Sequence, residues 1–365
     1  SPPMERNPAS TDMPKLPGSH KTRALVFILL GVLLLVVFSL SLAYGSVQIP
    51  LRQVLKIVTG GTSGRPSWDY IILNFRLVKA LTALLAGSAL ALAGLQMQTL
   101  FRNPLADPFI LGINSGASLG VAIAILGIGA SGATFLAGLG LFGDIGIALS
   151  ASVGAGAVLA LILLVGRKVR DTTTLLILGL MFGYATSAVV SLLIYFSIPE
   201  RIQAFTLWTY GSFSGVTWSQ MKVMLGVILF GIFLAGLLPK YLNALLLGED
   251  YAKSMGMNVR QARFLILVSA SILAGTVTAF CGPIGFLGVA VPHLARNVFH
   301  TADHKLLVPA VGIIGAIAAI AADIIAQLPG SQFMLPINVV TSLFGAPFVL
   351  WILLRNRGGG TSFNL

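Results

Sequence analysis

Charge is scarce in this chain. Only 9% of its 365 residues are Asp, Glu, Lys or Arg, against roughly 25% in an ordinary soluble domain. That deficit excludes a water-soluble globule. Cysteine is scarcer still: Cys281 stands alone, so neither an internal disulfide nor a multi-thiolate metal site can form. There is no G-x-x-x-x-G-K-[ST] stretch, and nothing here cradles ATP phosphates unaided. Acidic residues number 11 against 23 basic ones. The resulting net charge of +12 superficially suits a nucleic-acid partner. The basic residues, however, stand singly or in twos and threes between apolar runs, as they do beside cytoplasmic ends of membrane spans. Nucleic acid is set aside.

What is abundant is hydrocarbon. Residues of hydrophobic type make up 56% of the chain, and 41 are glycine without a Gly-X-Y period. A span needs about 20 apolar residues, so the supply covers about ten, packed closely through small side chains. The expected architecture is an all-α integral membrane protein. A disordered cytoplasmic tail occupies 1–23, the membrane domain 24–356, and a second cytoplasmic tail 357–365.

The expected spans are 24–44, 76–100, 109–131, 145–166, 173–197, 219–239, 260–281, 284–299, 306–326 and 336–354. The first exceeds a signal-peptide core in length and reads as a retained helix. Residues 45–75 read as a long external loop. Gly112, Gly116 and Gly120 in one span, and Pro292 in a short one, suggest broken helices, tolerated only where protein covers the backbone. With the termini inside, sixteen basic residues lie cytoplasmic. Seven lie outside: Arg52, Lys56, Arg65, Arg76, Lys79, Arg201 and Lys222. Both termini are therefore expected on the cytoplasmic side of the membrane.

Several patterns carry little. Gly138, Gly140 and Gly143 match G-x-G-x-x-G but follow no strand. His300 and His304 have a metal-ligand spacing within what reads as a solvated connection. Of the acidic residues only Asp323 lies inside a span, which is thin support for an ion-driven carrier; local pairing is the preferred reading. No nucleophile–base pair suggests a membrane enzyme.

Four blocks carry more. They are Asn103–Ala117 (NPLADPFILGINSGA), Leu247–Gly256 (LGEDYAKSMG), Gly282–Arg296 (GPIGFLGVAVPHLAR) and Leu335–Pro347 (LPINVVTSLFGAP). In order and spacing they resemble the FecCD-type permeases, membrane subunits of type II ABC importers for iron-siderophores, heme and cobalamin. The resemblance runs from about residue 70 to residue 355. It implies a non-catalytic permease with ten spans and a homodimer with the path at its interface. It also implies two cytoplasmic ATP-binding cassette subunits and an external substrate-binding protein. ATP and magnesium would sit at the partner ATPase, and this chain would hold no cofactor or metal.

The resemblance also assigns roles. Gly248, Glu249, Asp250, Lys253 and Gly256 fall in a coupling helix docking on the ATPase, on a segment that otherwise reads as a solvated loop or an amphipathic surface helix. Arg76 and Lys79 occupy a basic docking position for the binding protein, or simply snorkel. Gln327 departs from a family Arg. Trp208 and Ser212 fall at the external mouth, where aromatics also suit an interfacial belt. Asn114 and Ser115 face the path or cap a helix, and the glycines beside them are packing contacts or channel wall. The cargo expected is a bulky pre-formed chelate, a ferric siderophore first and heme or cobalamin next.

Overall fold

Hydrocarbon offers backbone N–H and C=O groups no partners, so long apolar runs close their hydrogen bonds internally as helices. The computed structural model describes residues 20–45, 47–127, 144–166, 172–327 and 334–357, and among them no strand occurs. In chain order the helices are α1 (His20–Ala43), α2 (Leu51–Val58), α3 (Pro66–Ile71), α4 (Leu77–Leu100) and α5 (Ile113–Ala122). Next come α6 (Asp144–Gly166), α7 (Thr172–Tyr195), α8 (Pro199–Thr209), α9 (Trp218–Leu237) and α10 (Pro239–Leu246). The last five are α11 (Glu249–Ser254), α12 (Val259–Cys281), α13 (Leu287–Phe299), α14 (His304–Ala326) and α15 (Ile337–Arg357). Each expected span coincides with one of these helices to within a few residues, the third as a broken one. The N-terminal tail lies outside the described residues as far as 19, His20–Arg23 already belong to α1, and 358–365 again lie outside. So do the glycines at 138, 140 and 143.

α4 is the axis of the bundle. Its residues from Ala83 to Leu100 are nearly all buried, and α9, α12, α13 and α14 pack around it. Glycine sets how close they come. A Cβ on Gly87 would overlap the Gly315 carbonyl of α14, and one on Gly94 would overlap the Gly288 carbonyl of α13. Gly116 and Gly120 of α5 meet Gly154 and Ser150 of α6 in the same way. These two glycines are packing contacts, as small residues four apart usually are. α1 and α7, by contrast, are mostly exposed along their lengths.

Two expected irregularities appear. The span expected at 109–131 begins as a 3-10 turn, Pro108–Leu111, reverses at Gly112 (φ 74°), runs through α5 and loosens into a π turn at Ile123–Gly127. The Pro292-containing span is the short α13, whose Pro292 is interior.

Residues 45–75 are more ordered than a loop. α2 and α3 pack Val54, Ile57 and Trp68 against Leu42, Ile49, Ile72 and Ala80, a small satellite core. Leu51, Val54, Leu55 and Val58 repeat at helical spacing, a signal obscured by the Gly60-Gly61 and Pro66 punctuation around it.

Candidate functional site

At the end of the bundle where α9 gives way to α12, the chain makes a tight excursion. Gly248 takes φ 110° and ψ 151°, a region closed to residues with a Cβ, and the six residues of α11 follow. The exit is a Schellman motif: Met257 N–H donates to Ala252 O (3.0 Å), and Gly256 N–H to Lys253 O (2.9 Å), with Gly256 at φ 80°. Asn258 then caps α12, its side chain accepting from Gln261 N–H at 3.1 Å. Sequence thus fixes both hinges and the next helix start.

The charges on α11 do not form one solvated face. Glu249 turns back to Arg263 of α12, Oε1 to Nη2 2.6 Å, with both side chains largely shielded. Lys253 pairs with Asp250 in the open, 3.1 Å apart. Beside that exposed pair runs an apolar row: Leu247, Tyr251 and Met255, four residues apart, are each at least half exposed. Ala252 is buried on the opposite side.

Polar links beside this excursion were not legible in the sequence. His304 is fully buried as the first residue of α14, not solvated, and His300 is exposed and apart from it. His304 Nδ1 and its backbone N–H both meet Asn243 Oδ1, at 2.7 and 2.9 Å, while Nε2 meets Thr99 Oγ1 at 2.8 Å. Asn243 Nδ2 donates to Asp303 Oδ1 at 2.7 Å. Burial alone would raise the Asp303 pKa. The Lys305 backbone N–H, the Asn243 amide and the nearby cations outweigh it and hold that carboxylate below its usual range. Arg296 donates to Gln98 Oε1 (2.8 Å), and Gln98 Nε2 donates in turn to the carbonyls of Gly288 and Val289. The partners lie 60 to 205 residues apart, so no local motif joins them. The available signal was only that a cation at a span end requires an acceptor.

The Asn103 block folds as a capped turn on the same side. Asp107 accepts from Phe109 N–H at 2.8 Å, and burial, partly offset by that bond, raises its pKa to about 6. Beyond it, Asn114 Oδ1 is shielded without a hydrogen-bond partner, and Ser115 faces Gly183 of α7.

At the opposite end, residues 198–217 meet the Gly282 and Leu335 blocks. Trp208 is half-buried, stacked on buried Phe205 with ring centroids 6.2 Å apart. Gly211 turns at φ 71°, and Ser212 N–H donates to Cys281 O at 2.8 Å. Asn338 closes the cluster: its N–H donates to Tyr210 O, and its Oδ1 accepts from Gly285 N–H. Trp208 and Ser212 thus sit together, whereas Ser115, beside Asn114, packs midway along α7 at Gly183.

The expected docking cations are engaged inside the chain. A π turn at Ile72–Arg76 rotates Arg76 inward, where its guanidinium donates to Leu42 O and Ala43 O, both 2.9 Å, and to Val47 O. It is 8% exposed. Lys79 Nζ lies 3.1 Å from Asp323 Oδ1, the carboxylate buried and the lysine mostly shielded, and Gln327 Nε2 donates to Asp323 Oδ2 at 3.0 Å. Asp323 therefore pairs locally, and Gln327 completes its shell. Neither Arg76 nor Lys79 presents a free cation. Among the described residues, no group of three or more His, Cys, Asp or Glu converges on one point.

Comparison with known proteins agrees with this architecture. The chain is 36% identical over 331 residues to the vitamin B12 import system permease protein BtuC of Klebsiella pneumoniae, covering 91% of this chain and 94% of that one. It is equally similar, 36% over 331 residues, to the hemin transport system permease protein HmuU of Yersinia pestis, covering 90% and 96%. A transporter assigned to the metal-chelate type of ABC transporter, solved in an inward-facing conformation, superposes with a TM-score of 0.78 at 29% identity, covering 91% of this chain and 99% of that one. Residues 33–355 match the family model, and the chain belongs to the FecCD transport family.

Proposed function

We propose that this membrane permease works as a homodimer with two cytoplasmic ATP-binding cassette subunits and an external substrate-binding protein, importing a pre-formed metal chelate. ATP and magnesium are used at the cassette subunits, and the permease performs no catalysis. The observation that carries this reading is the excursion at Gly248–Gly256. A rigid helical turn lies between two glycine hinges, presents Leu247, Tyr251 and Met255 outward, and is tied to α12 through Glu249 and Arg263. An exposed apolar trio on a surface turn suits an anchor in a partner's cleft. A push on α11 is delivered to a membrane-spanning helix through the ion pair.

The cargo is bulky and arrives already complexed. A bare cation would have to exchange its hydration shell for carboxylate, imidazole or thiolate ligands. Among the described residues three acidic side chains beside the spans are committed to partners: Asp323 to Lys79, Glu249 to Arg263, and Asp303 to Asn243. A ferric siderophore is the first expectation. Cobalamin and heme stand beside it, because the relatives that import vitamin B12 and hemin are equally similar to this chain. With Arg76 and Lys79 engaged internally, capture of the binding protein falls to exposed outer groups such as Arg52 and Arg65. Vesicles carrying the permease, its ATPase and its binding protein, offered ferric siderophore, heme, cobalamin and free ferric ion in parallel, test the cargo class. One of the chelates should accumulate. Uptake of free ferric ion with none of the chelates would remove the proposal.

A further inference from the structure

The excursion at Gly248–Gly256 has two neighbours. α11 packs on α12, where Glu249 meets Arg263, and on α10, the helix that leads into Gly248. α10 is a separate piece of helix, opened by Pro239 where α9 has ended. Hydrogen bonds from Leu247 N–H to Ala244 O and from Gly248 N–H to Leu245 O carry its last turn up to the hinge. α10 lies against α4 and α14, and its buried residues are Leu242 and Leu245. Apolar contacts of that kind are non-directional, so alone they let one packed helix slide on another.

Asn243 removes that freedom. Its Nδ2 donates to the Asp303 carboxylate at 2.7 Å, so Oδ1 is the atom that faces His304. That oxygen accepts from the His304 backbone N–H at 2.9 Å and from Nδ1 at 2.7 Å, which places an imidazole hydrogen on Nδ1. One amide thus holds both the N-cap residue and the first residue of α14. The other ring nitrogen, Nε2, meets Thr99 Oγ1 in the last turn of α4 at 2.8 Å. His304 and Thr99 are fully buried. There hydrogen bonds hold narrow lengths and directions, and a satisfied polar cluster specifies one arrangement. We propose that Asn243 and His304 are positioning residues for transport, given that the excursion is where the ATPase subunit acts. They form a strut that carries displacement of α10 into α14 and α4, in parallel with the Glu249–Arg263 pair, which carries displacement of α11 into α12.

The test is uptake per ATP hydrolysed in proteoliposomes containing the permease, its ATPase and its binding protein. A ferric hydroxamate siderophore, hemin and cyanocobalamin serve as parallel probes. Asn243→Leu should lower that ratio about tenfold, the scale of bias set by one or two buried hydrogen bonds, while hydrolysis continues. His304→Phe, which keeps a ring without the bonds, should do the same. Asn243→Asp sets a second carboxylate against Asp303 and should also lower the ratio. Adding Asp303→Asn returns a donor to that contact and should restore it. A cluster that only stabilises the fold would lower uptake and hydrolysis in proportion, together with the thermal midpoint, and leave the ratio unchanged. That result, or no rescue by Asp303→Asn, would overturn the strut. Gly256→Val separates this failure from failure of the coupling role itself. An unchanged ratio in Asn243→Leu beside a lowered one in Gly256→Val removes the strut alone. Unchanged ratios in both, or accumulation of none of the probes by the wild type, remove the transport reading of the excursion and the strut with it.

Discussion

Asp107 shows how one residue ties shape to protonation. Its carboxylate caps the 3-10 turn that opens the broken third span, and its pKa is raised to about 6, mainly by burial. A carboxyl raised above its unfolded value near 3.9 favours the fold most below that value and loses this contribution as pH rises through 6. Asn keeps the accepting oxygen and sheds the charge. Asp107→Asn should therefore raise the thermal midpoint at pH 8 by on the order of 3 °C, and the gain should vanish near pH 4. An equal gain at both pH values would contradict this. Lys79 and Asp323 make the complementary case, a shielded pair inside the bundle. Removing one partner of such a pair costs about 3–5 kcal/mol, while replacing both is near neutral. Lys79→Met alone should lower thermal stability markedly, and adding Asp323→Leu should recover most of it. Additive losses would show that the pair does not act as a unit. Asp323 was legible as a pairing group because a carboxylate in a span must find a partner. That the partner is Lys79, 244 residues earlier, was not. The acceptors of Arg76 were not legible for the same reason: they are backbone carbonyls of Leu42, Ala43 and Val47, which no side-chain pattern announces.

The element that carries the functional reading is α11 with its two glycine hinges. Its position was legible because Gly248 and Gly256 bracket a short charged segment, and left-handed turns select glycine. Its orientation was not, because Glu249 pairs with Arg263 across a turn and leaves Leu247, Tyr251 and Met255 exposed beside the Asp250–Lys253 pair. A Cβ at Gly256 meets no neighbour, so the penalty there is purely conformational, about 1–2 kcal/mol at positive φ. Gly256→Val should insert and assemble normally yet uncouple ATP hydrolysis from uptake; unchanged transport would count against the coupling role. Arg263→Glu should uncouple likewise, and Glu249→Arg in the same chain should restore coupling. Failure of that exchange to rescue transport would show that the ion pair is not the link. The long spans were legible to within a few residues because membrane helices must satisfy their own backbones, and an uninterrupted apolar run has no other solution. α2 and α3 were missed because an amphipathic turn of eight residues, broken by glycine and proline, resembles a loop.

For the molecule as a whole, the bundle around α4 is a scaffold of glycine contacts, with the excursion at 248–256 at one end and the aromatic cluster around Trp208 at the other. On the distribution of basic residues we propose that the excursion and both termini are cytoplasmic. In a Cys281→Ser background, a single cysteine at Tyr251 should be protected from impermeant reagents in intact cells, and one at Ser212 should react. Labelling at position 251 from outside would reverse the assignment. The central claim is that ATP hydrolysed by a separate subunit drives cargo through this chain. Its most direct test is simultaneous measurement of ATP hydrolysis and chelate uptake in proteoliposomes containing permease and binding protein, with and without the ATPase subunit. Uptake should require both the ATPase and ATP, and should persist when proton and sodium gradients are collapsed. Accumulation driven by an ion gradient without the ATPase would contradict the account.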